Sequence, residues 1–320
     1  MPDCFQCPEM SKVQLQLDGL VSPCCTIDGT FTRVEDALQI KREMNEQIRV
    51  GVRPAICGSC TRITRTSDPQ PPIDMIDIFT NTFCPLECGY CQYAAGFGNL
   101  RIDPGLRAIH EASGTDRAVD LSMSNSASIE PFIRECAALL GGSLKRVSLS
   151  GGDSAYHSRF RQICRTINGV GAQVIYLTSG VALGETNQDF VVASVAEGKM
   201  FVSISPDTSD ATEYGRIKGV NPLVFTSQVV PFMERIFRVN NGSGYCVKMI
   251  VQKGNWDRAG AFIEFWSNLG AKRFSLCRLF CDPDHPFTVT QEQIERAVSD
   301  ARIDHMKVCD AFPLELICVP

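Results

Sequence analysis

Apolar positions along this chain fall into short, near-continuous runs separated by stretches of helical period, most clearly from residue 73 onward. IDMIDIFTN (73–81) predicts a first strand, helix-like material follows near 104–113, and AVDLSMS (118–124) predicts a second strand. The helix IEPFIRECAALL then leads into KRVSLSGGD, a third strand that ends in two glycines. SRFRQICRTI leads to QVIYLTSG, NQDFVVASVAEG to KMFVSISPD, the region 212–240 to GYCVKMIVQKG, and WDRAGAFIEFWSNLG to AKRFSLCRLF. Apolar strands joined by helical crossovers predict an α/β fold with a parallel sheet covered by helices. Six or seven such units, with no dinucleotide fingerprint after the first strand, favour a barrel or partial barrel. Reactive loops then gather at the carboxyl ends of the strands.

The segment 1–66 reads differently. It carries one helical stretch, VEDALQIKREMNEQIRV, with Val34, Leu38, Met44 and Ile48 at roughly helical spacing, flanked by the irregular pieces VQLQLDGLVSPCC and RPAICGSC. TSDPQPP (66–72) has linker composition. Three parts are expected: a small cysteine-rich module over 1–66, the main α/β domain over 73–290, and a helix and tail over 291–320. So small a module calls for a metal or a neighbouring domain to hold it.

Composition changes this picture mainly by exclusion. The 320 residues are 44% hydrophobic and 21% charged, which is globular, and the net charge of -5 offers no basic stripe for nucleic acid. MPDCFQCPEM has no basic flank and apolar h-region, and no apolar run reaches membrane-spanning length. A cytoplasmic protein with neither nucleic-acid nor membrane partners is expected, in which 16 cysteines signify metal binding or catalysis before disulfides. His110, His157, His285 and His305 form no ligand-like spacing, and no hydrolase triad or GxxxxGK phosphate loop is present.

The chemistry concentrates after the first strand. FTNTFCPLECGYCQYAAG places Cys84, Cys88 and Cys91 on one loop, with Tyr90 before the last of them. Three thiolates can hold three irons of a cubane and leave the fourth open; a structural zinc site is the alternative, although zinc asks for a fourth ligand. This CxxxCxxC spacing resembles the defining motif of the radical S-adenosylmethionine (SAM) family, over roughly residues 74–285. The resemblance implies a partial (β/α)6 TIM-like barrel and a [4Fe-4S] cluster whose open iron binds SAM. One electron then cleaves SAM to methionine and a 5′-deoxyadenosyl radical. It implies further that Gly151, Gly152 and Asp153 meet the methionyl amino group, with Asp standing where Glu is commoner. Thr178 and Ser179 line the SAM site, Ser203 and Ser205 approach the ribose or carboxylate, and adenine stacks near Val251.

The amino-terminal cysteines resemble a second pattern. Cys7, Gly19 and Cys24, separated by eleven and four residues, with Cys57 and Cys60 after them, are similar to the SPASM or twitch auxiliary-cluster module, here ahead of the barrel. The resemblance implies a second [4Fe-4S] cluster on Cys7, Cys24, Cys57 and Cys60, with Cys4 and Cys25 as replacements; four thiolates also suit zinc. Cys136 and Cys164 lie on apolar helix stripes and are expected in the core, while Cys309 and Cys318 fall in the tail.

Cys246, Cys277 and Cys281 are candidate hydrogen donors, because a positioned S–H can quench a carbon radical from the opposite face and invert the centre. The reading is therefore a radical SAM epimerase acting on a small natural product, an aminoglycoside or another sugar, with flavodoxin or ferredoxin as electron donor. The alternatives are a dehydrogenase that passes an electron to the auxiliary cluster, a ribosomal-peptide-modifying enzyme, and a zinc-stabilised binding protein without catalysis.

Overall fold

The computed structural model describes residues 4–6, 11–16, 19–24, 31–57, 64–66, 73–81, 84–91, 122–181, 183–239, 242–279, 286–301, 307–310 and 314–318. The chain folds as two compact units.

The first unit comprises Met1–Asn81, Leu121–Gly151 and His157–Ile175. Its elements are β1 (Cys4–Gln6), β2 (Lys12–Leu15), β3 (Val21–Ser22), α1 (Val34–Arg49), β4 (Thr64–Thr66), β5 (Met75–Asn81), α2 (Ser122–Leu140), β6 (Arg146–Gly151) and α3 (Phe160–Gly169). The strand order is β3-β2-β5-β6, with β2, β5 and β6 parallel and β3 antiparallel to β2; β1 and β4 form a separate antiparallel pair. Ile76 and Ile78 of β5 are fully buried, and between them Asp77 is nearly so. A parallel strand covered on both faces reads in this way.

Two elements differ from the sequence expectation. VQLQL, read as irregular, contains β2, which pairs in parallel with β5 at Gln14↔Asp77. Its period was hidden because one face is polar yet buried: Lys12 Nζ lies 3.1 Å from Asp77 Oδ2, and Gln14 Nε2 donates to the same oxygen at 3.4 Å. The second expected strand, AVDLSMS, is corrected at its end, since Ser122, Met123 and Ser124 belong to α2, while residues 118–121 lie outside the described residues. The local alternation of V-D-L-S-M-S yields to the stripe Ile129, Phe132, Ile133 and Cys136, all buried, which continues the helix back through the serines. Residues 104–113, expected to be helical, lie outside the described residues.

Gly151 closes β6 at φ 105°, and a Cβ there would collide with the carbonyl oxygen of Asn81 on β5. The first glycine of the pair thus permits a close backbone approach that no other residue allows. β7 (Gln173–Thr178) carries the chain onward, its first half in the first unit and Tyr176–Thr178 in the second.

The second unit comprises Thr82–Asp120, Gly152–Tyr156 and Tyr176–Pro320. After β7 come α4 (Glu185–Ala196), β8 (Met200–Ile204), α5 (Ala211–Lys218), a π turn over Phe225–Val229, α6 (Val230–Arg238), β9 (Tyr245–Val251), α7 (Ala259–Asn268), β10 (Arg273–Arg278), α8 (Gln291–Ala301), β11 (Lys307–Asp310) and β12 (Leu314–Cys318). β8, β9 and β10 run parallel, and β12 joins β10 antiparallel with β11 outside it. Val202, Ile204, Tyr245, Val247, Met249 and Phe274 are all solvent-free. Trp266 packs edge-on to Phe225, Phe237, Phe262 and Phe265, and its Nε1 donates to the Thr208 carbonyl at 3.2 Å. Both units thus show the expected strand–helix alternation.

Candidate active site

α5 organises the site. Asp210 caps its amino end by accepting the Glu213 N–H at 2.8 Å, and Thr208 Oγ1 donates to Glu213 Oε2 at 2.5 Å. Gly219 ends it in the left-handed region at φ 65°. The cysteine loop sits on that carboxyl end: Glu87 N donates to Lys218 O at 2.9 Å and Gly89 N to Ile217 O at 3.4 Å. A Cβ on Gly219 would stand 2.7 Å from Glu87 O, so the loop rests on a surface only glycine leaves open. Within the loop, Cys91 N donates to Cys88 O at 2.9 Å.

Cys88 is buried, Cys84 and Cys91 are half-buried, and none of the three is in a disulfide. Burial foremost pushes Cys84 up to about 12, helped by Asp153, Cys88 and Cys91 and opposed by the Leu86 N–H. Burial pushes Cys88 up to about 11 against the opposing charge of Lys218, with Cys91 adding to the rise. The three sulfurs therefore share one electrostatic neighbourhood. Among the described residues, no three His, Cys, Asp or Glu side chains converge as the ligands of one metal ion. A cubane takes one thiolate at each of three irons, so its ligands do not share an ion, and three soft donors on one loop fit that group.

Tyr90, named by the motif, is tied to two residues that sequence reasoning did not single out. Its hydroxyl donates to Asp207 Oδ2 and accepts from Lys218 Nζ at 2.9 Å. Lys218 Nζ lies 2.5 Å from the same Asp207 oxygen, and Asp207 Oδ1 accepts the Ile250 N–H at 2.8 Å. Asp207 has φ 61° and is held from behind by Asn255, whose Nδ2 donates to Asp207 O at 2.9 Å. Burial presses Lys218 toward neutrality, but the Asp207 carboxylate and Cys88 outweigh it and hold the ammonium above its ordinary range.

Tyr156, which no motif marked, is pushed up to about 12, by burial first, with the Asp153 charge adding to the rise as it does at Cys84. Asp153 is 2% exposed. Its Oδ1 accepts from Tyr176 OH at 2.6 Å and Ala155 N at 3.2 Å, and its Oδ2 from Thr178 Oγ1 at 2.7 Å. Burial raises its carboxyl above the usual range even against those bonds. Thr178 Oγ1 accepts in turn from Gly180 N at 3.0 Å, and Ser179 follows it half-buried.

The chain aligns with SuiB of Streptococcus suis at 13% identity and a TM-score of 0.51, over 87% of this chain and 54% of SuiB. Against SuiB bound to S-adenosylmethionine the values are 12%, 0.52, 87% and 55%; against SuiB bound to precursor peptide SuiA they are 12%, 0.51, 87% and 53%. The chain has the fold of SuiB. That agrees with the α/β fold expected from the sequence. The chain spans about half the length of SuiB. No protein-family model and no curated protein matches it.

On the SuiB-like sheet, strand pairing sorts the remaining candidates. Ser203 pairs with Cys246, Ser275 with Lys248 and Cys277 with Ile250. Alternation therefore puts Ser203, Cys246, Lys248, Ser275 and Cys277 on one face. Val251 belongs to the other face with Tyr245, Val247 and Met249, all buried. Cys277 and Ser275 are 3.6 Å apart, Sγ to Oγ. Burial first raises the Cys277 thiol, against the Lys248 charge and the Ser275 hydrogen bond. Ser205 N donates to Thr178 O at 3.0 Å.

Cys136 and Cys164 are fully buried, as expected. Cys24 and Cys57 are buried in the first unit and not in a disulfide; Cys4 begins β1, and Cys7, Cys25, Cys60 and Cys281 lie outside the described residues. Cys309 and Cys318 stand on the paired strands β11 and β12. No described helix is long and apolar enough to cross a membrane.

Proposed function

We propose that this chain is a radical SAM enzyme. The reading rests on one observation: Cys84, Cys88 and Cys91 lie on one loop after β5, seated on the carboxyl end of α5, in a fold shared with SuiB, which binds S-adenosylmethionine. Cys84, Cys88 and Cys91 would hold a [4Fe-4S] cluster, with SAM on its open iron. When bound and reduced, that pair supplies a 5′-deoxyadenosyl radical able to take a hydrogen atom from a substrate C–H bond.

The residues of this chain do the positioning. Asp207 and Lys218 fix Tyr90 by its hydroxyl, which sets the ring direction just before Cys91. Gly219 lets the loop seat on α5. Asp153, engaged through Tyr176 and Thr178, braces the segment after Gly152 where the methionyl end of SAM would lie, beside Ser179, Ser203 and Ser205, with adenine near Val251.

The narrower reading is epimerisation of a carbon centre in a small natural product or sugar, fed with electrons by a flavodoxin or ferredoxin in the cytoplasm. Cys246 and Cys277 share one sheet face, and burial keeps Cys277 as S–H, the form a hydrogen-atom donor needs. Dehydrogenation is the alternative outcome, with an auxiliary cluster on Cys7, Cys24, Cys57 and Cys60 of a module over 1–66 as electron acceptor; the burial of Cys24 and Cys57 supports such a site. Modification of a ribosomal peptide is favoured by the likeness to SuiB bound to its precursor peptide SuiA.

The deciding experiment is anaerobic reconstitution followed by reduction with SAM present. About eight irons and eight sulfides per chain, for two cubanes, and release of 5′-deoxyadenosine are expected. Bound zinc without cluster absorbance, and no SAM cleavage, would instead establish a zinc-stabilised binding protein.

A further inference from the structure

Tyr214 lies one helical turn before Lys218 on α5, so the two side chains share one face of the helix whose carboxyl end carries the cysteine loop. It is fully buried, and its ring is fixed against Phe225 at 5.2 Å between centroids. Yet its hydroxyl has no hydrogen-bond partner among the described residues. A buried hydroxyl left without an acceptor is destabilising, so its retention points to an acceptor outside the described residues. The groups that bear electrostatically on this oxygen are, in order, Cys88, Asp207, Cys84 and Asp153. Two of these are the sulfurs of the proposed cluster loop, and a third is the carboxylate already engaged by Tyr90, Lys218 and Ile250.

We propose that the Tyr214 hydroxyl donates a hydrogen bond to a sulfide of a [4Fe-4S] cluster held by Cys84, Cys88 and Cys91, and thereby raises the reduction potential of that cluster. The proposal rests on the cluster reading given above. A hydrogen bond to a cluster sulfur draws off negative charge and favours the reduced state, as does the buried Lys218 ammonium on the same face. Burial keeps the phenol protonated, so it remains a donor across the working pH range.

The test compares the full chain with Tyr214→Phe, both reconstituted anaerobically with iron and sulfide. The readouts are iron content and the midpoint potential of the electron paramagnetic resonance signal that shifts on adding SAM. Equal iron with a more negative potential in Tyr214→Phe is expected; equal iron with an unchanged potential overturns the proposal. If the phenylalanine variant does not fold or load, 3,5-difluorotyrosine at position 214 provides a stronger donor in the same shape. A more positive potential then supports the hydrogen bond, and an unchanged one overturns it. A wild-type chain that takes up no iron removes the cluster reading itself, an outcome distinct from equal potentials in two loaded proteins.

Discussion

Lys218 Nζ stands 2.5 Å from Asp207 Oδ2 with the two side chains only 3% and 0% exposed, so the ion pair is sealed from water. Such a pair need not stabilise the fold more than an apolar contact would, but each charge becomes a liability once its partner is gone. Here it also carries Tyr90, which places an electrostatic device beneath the cysteine loop.

Lys218→Met is therefore expected to destabilise the protein by about 3–5 kcal/mol, read from denaturant unfolding. Asp207→Asn should also be harmful. The double variant should lose less than the sum of the two, because the orphaned charge is then absent; strict additivity would refute the coupling.

Gly219→Ala should loosen the cysteine loop. The left-handed conformation at φ 65° costs an alanine about 1–3 kcal/mol, and the added carbon would meet Glu87 O at 2.7 Å. Lower thermal stability and less iron retained per chain after desalting are expected. Gly184→Ala, with nothing within 4 Å of the added carbon, should retain the wild-type iron content.

Asp153 gives a pH signature. Its folded carboxyl lies above the ordinary value of 3.8, so the folded state binds the proton more tightly than the unfolded chain does. Its contribution is then fully present below about 3.8 and is lost as pH rises through the raised folded value. Denaturant midpoints measured against pH should lose this falling component in Asp153→Asn. An identical pH profile for wild type and variant would contradict the assignment.

Cys277→Ala and Cys246→Ala separate the two thiols on the shared sheet face. In deuterated water with a turned-over substrate, the donor variant should still release 5′-deoxyadenosine but fail to place deuterium at the inverted carbon. Inversion with solvent label in both single variants would exclude both thiols as required donors.

The sequence carried the strands of the second unit well, because β8, β9 and β10 alternate or run apolar against covering helices. It failed at β2, whose inward face is Lys12 and Gln14 on Asp77, and at residues 122–124, where serines conceal a helix start. Cys84, Cys88, Cys91, Tyr90 and Asp153 were legible because spacing and strand ends mark them. Asp207, Lys218, Tyr214 and Tyr156 were not, since an acid, a base and two phenols in a polar stretch read as ordinary surface residues until burial joins them. The D-x-x-E cap at Asp210 and Glu213 was the available signal that an ordered helix begins just after Asp207.

The antiparallel strand β12 lies along β10 from Arg273↔Cys318 to Cys277↔Leu314, with β11 beyond it. Without that cover, the rim of a flat parallel sheet would offer its open amides and carbonyls to any neighbouring copy. A chain cut after Ala301 should therefore self-associate as its concentration rises, and β12 with β11 is in this sense a guard against edge-to-edge pairing at β10.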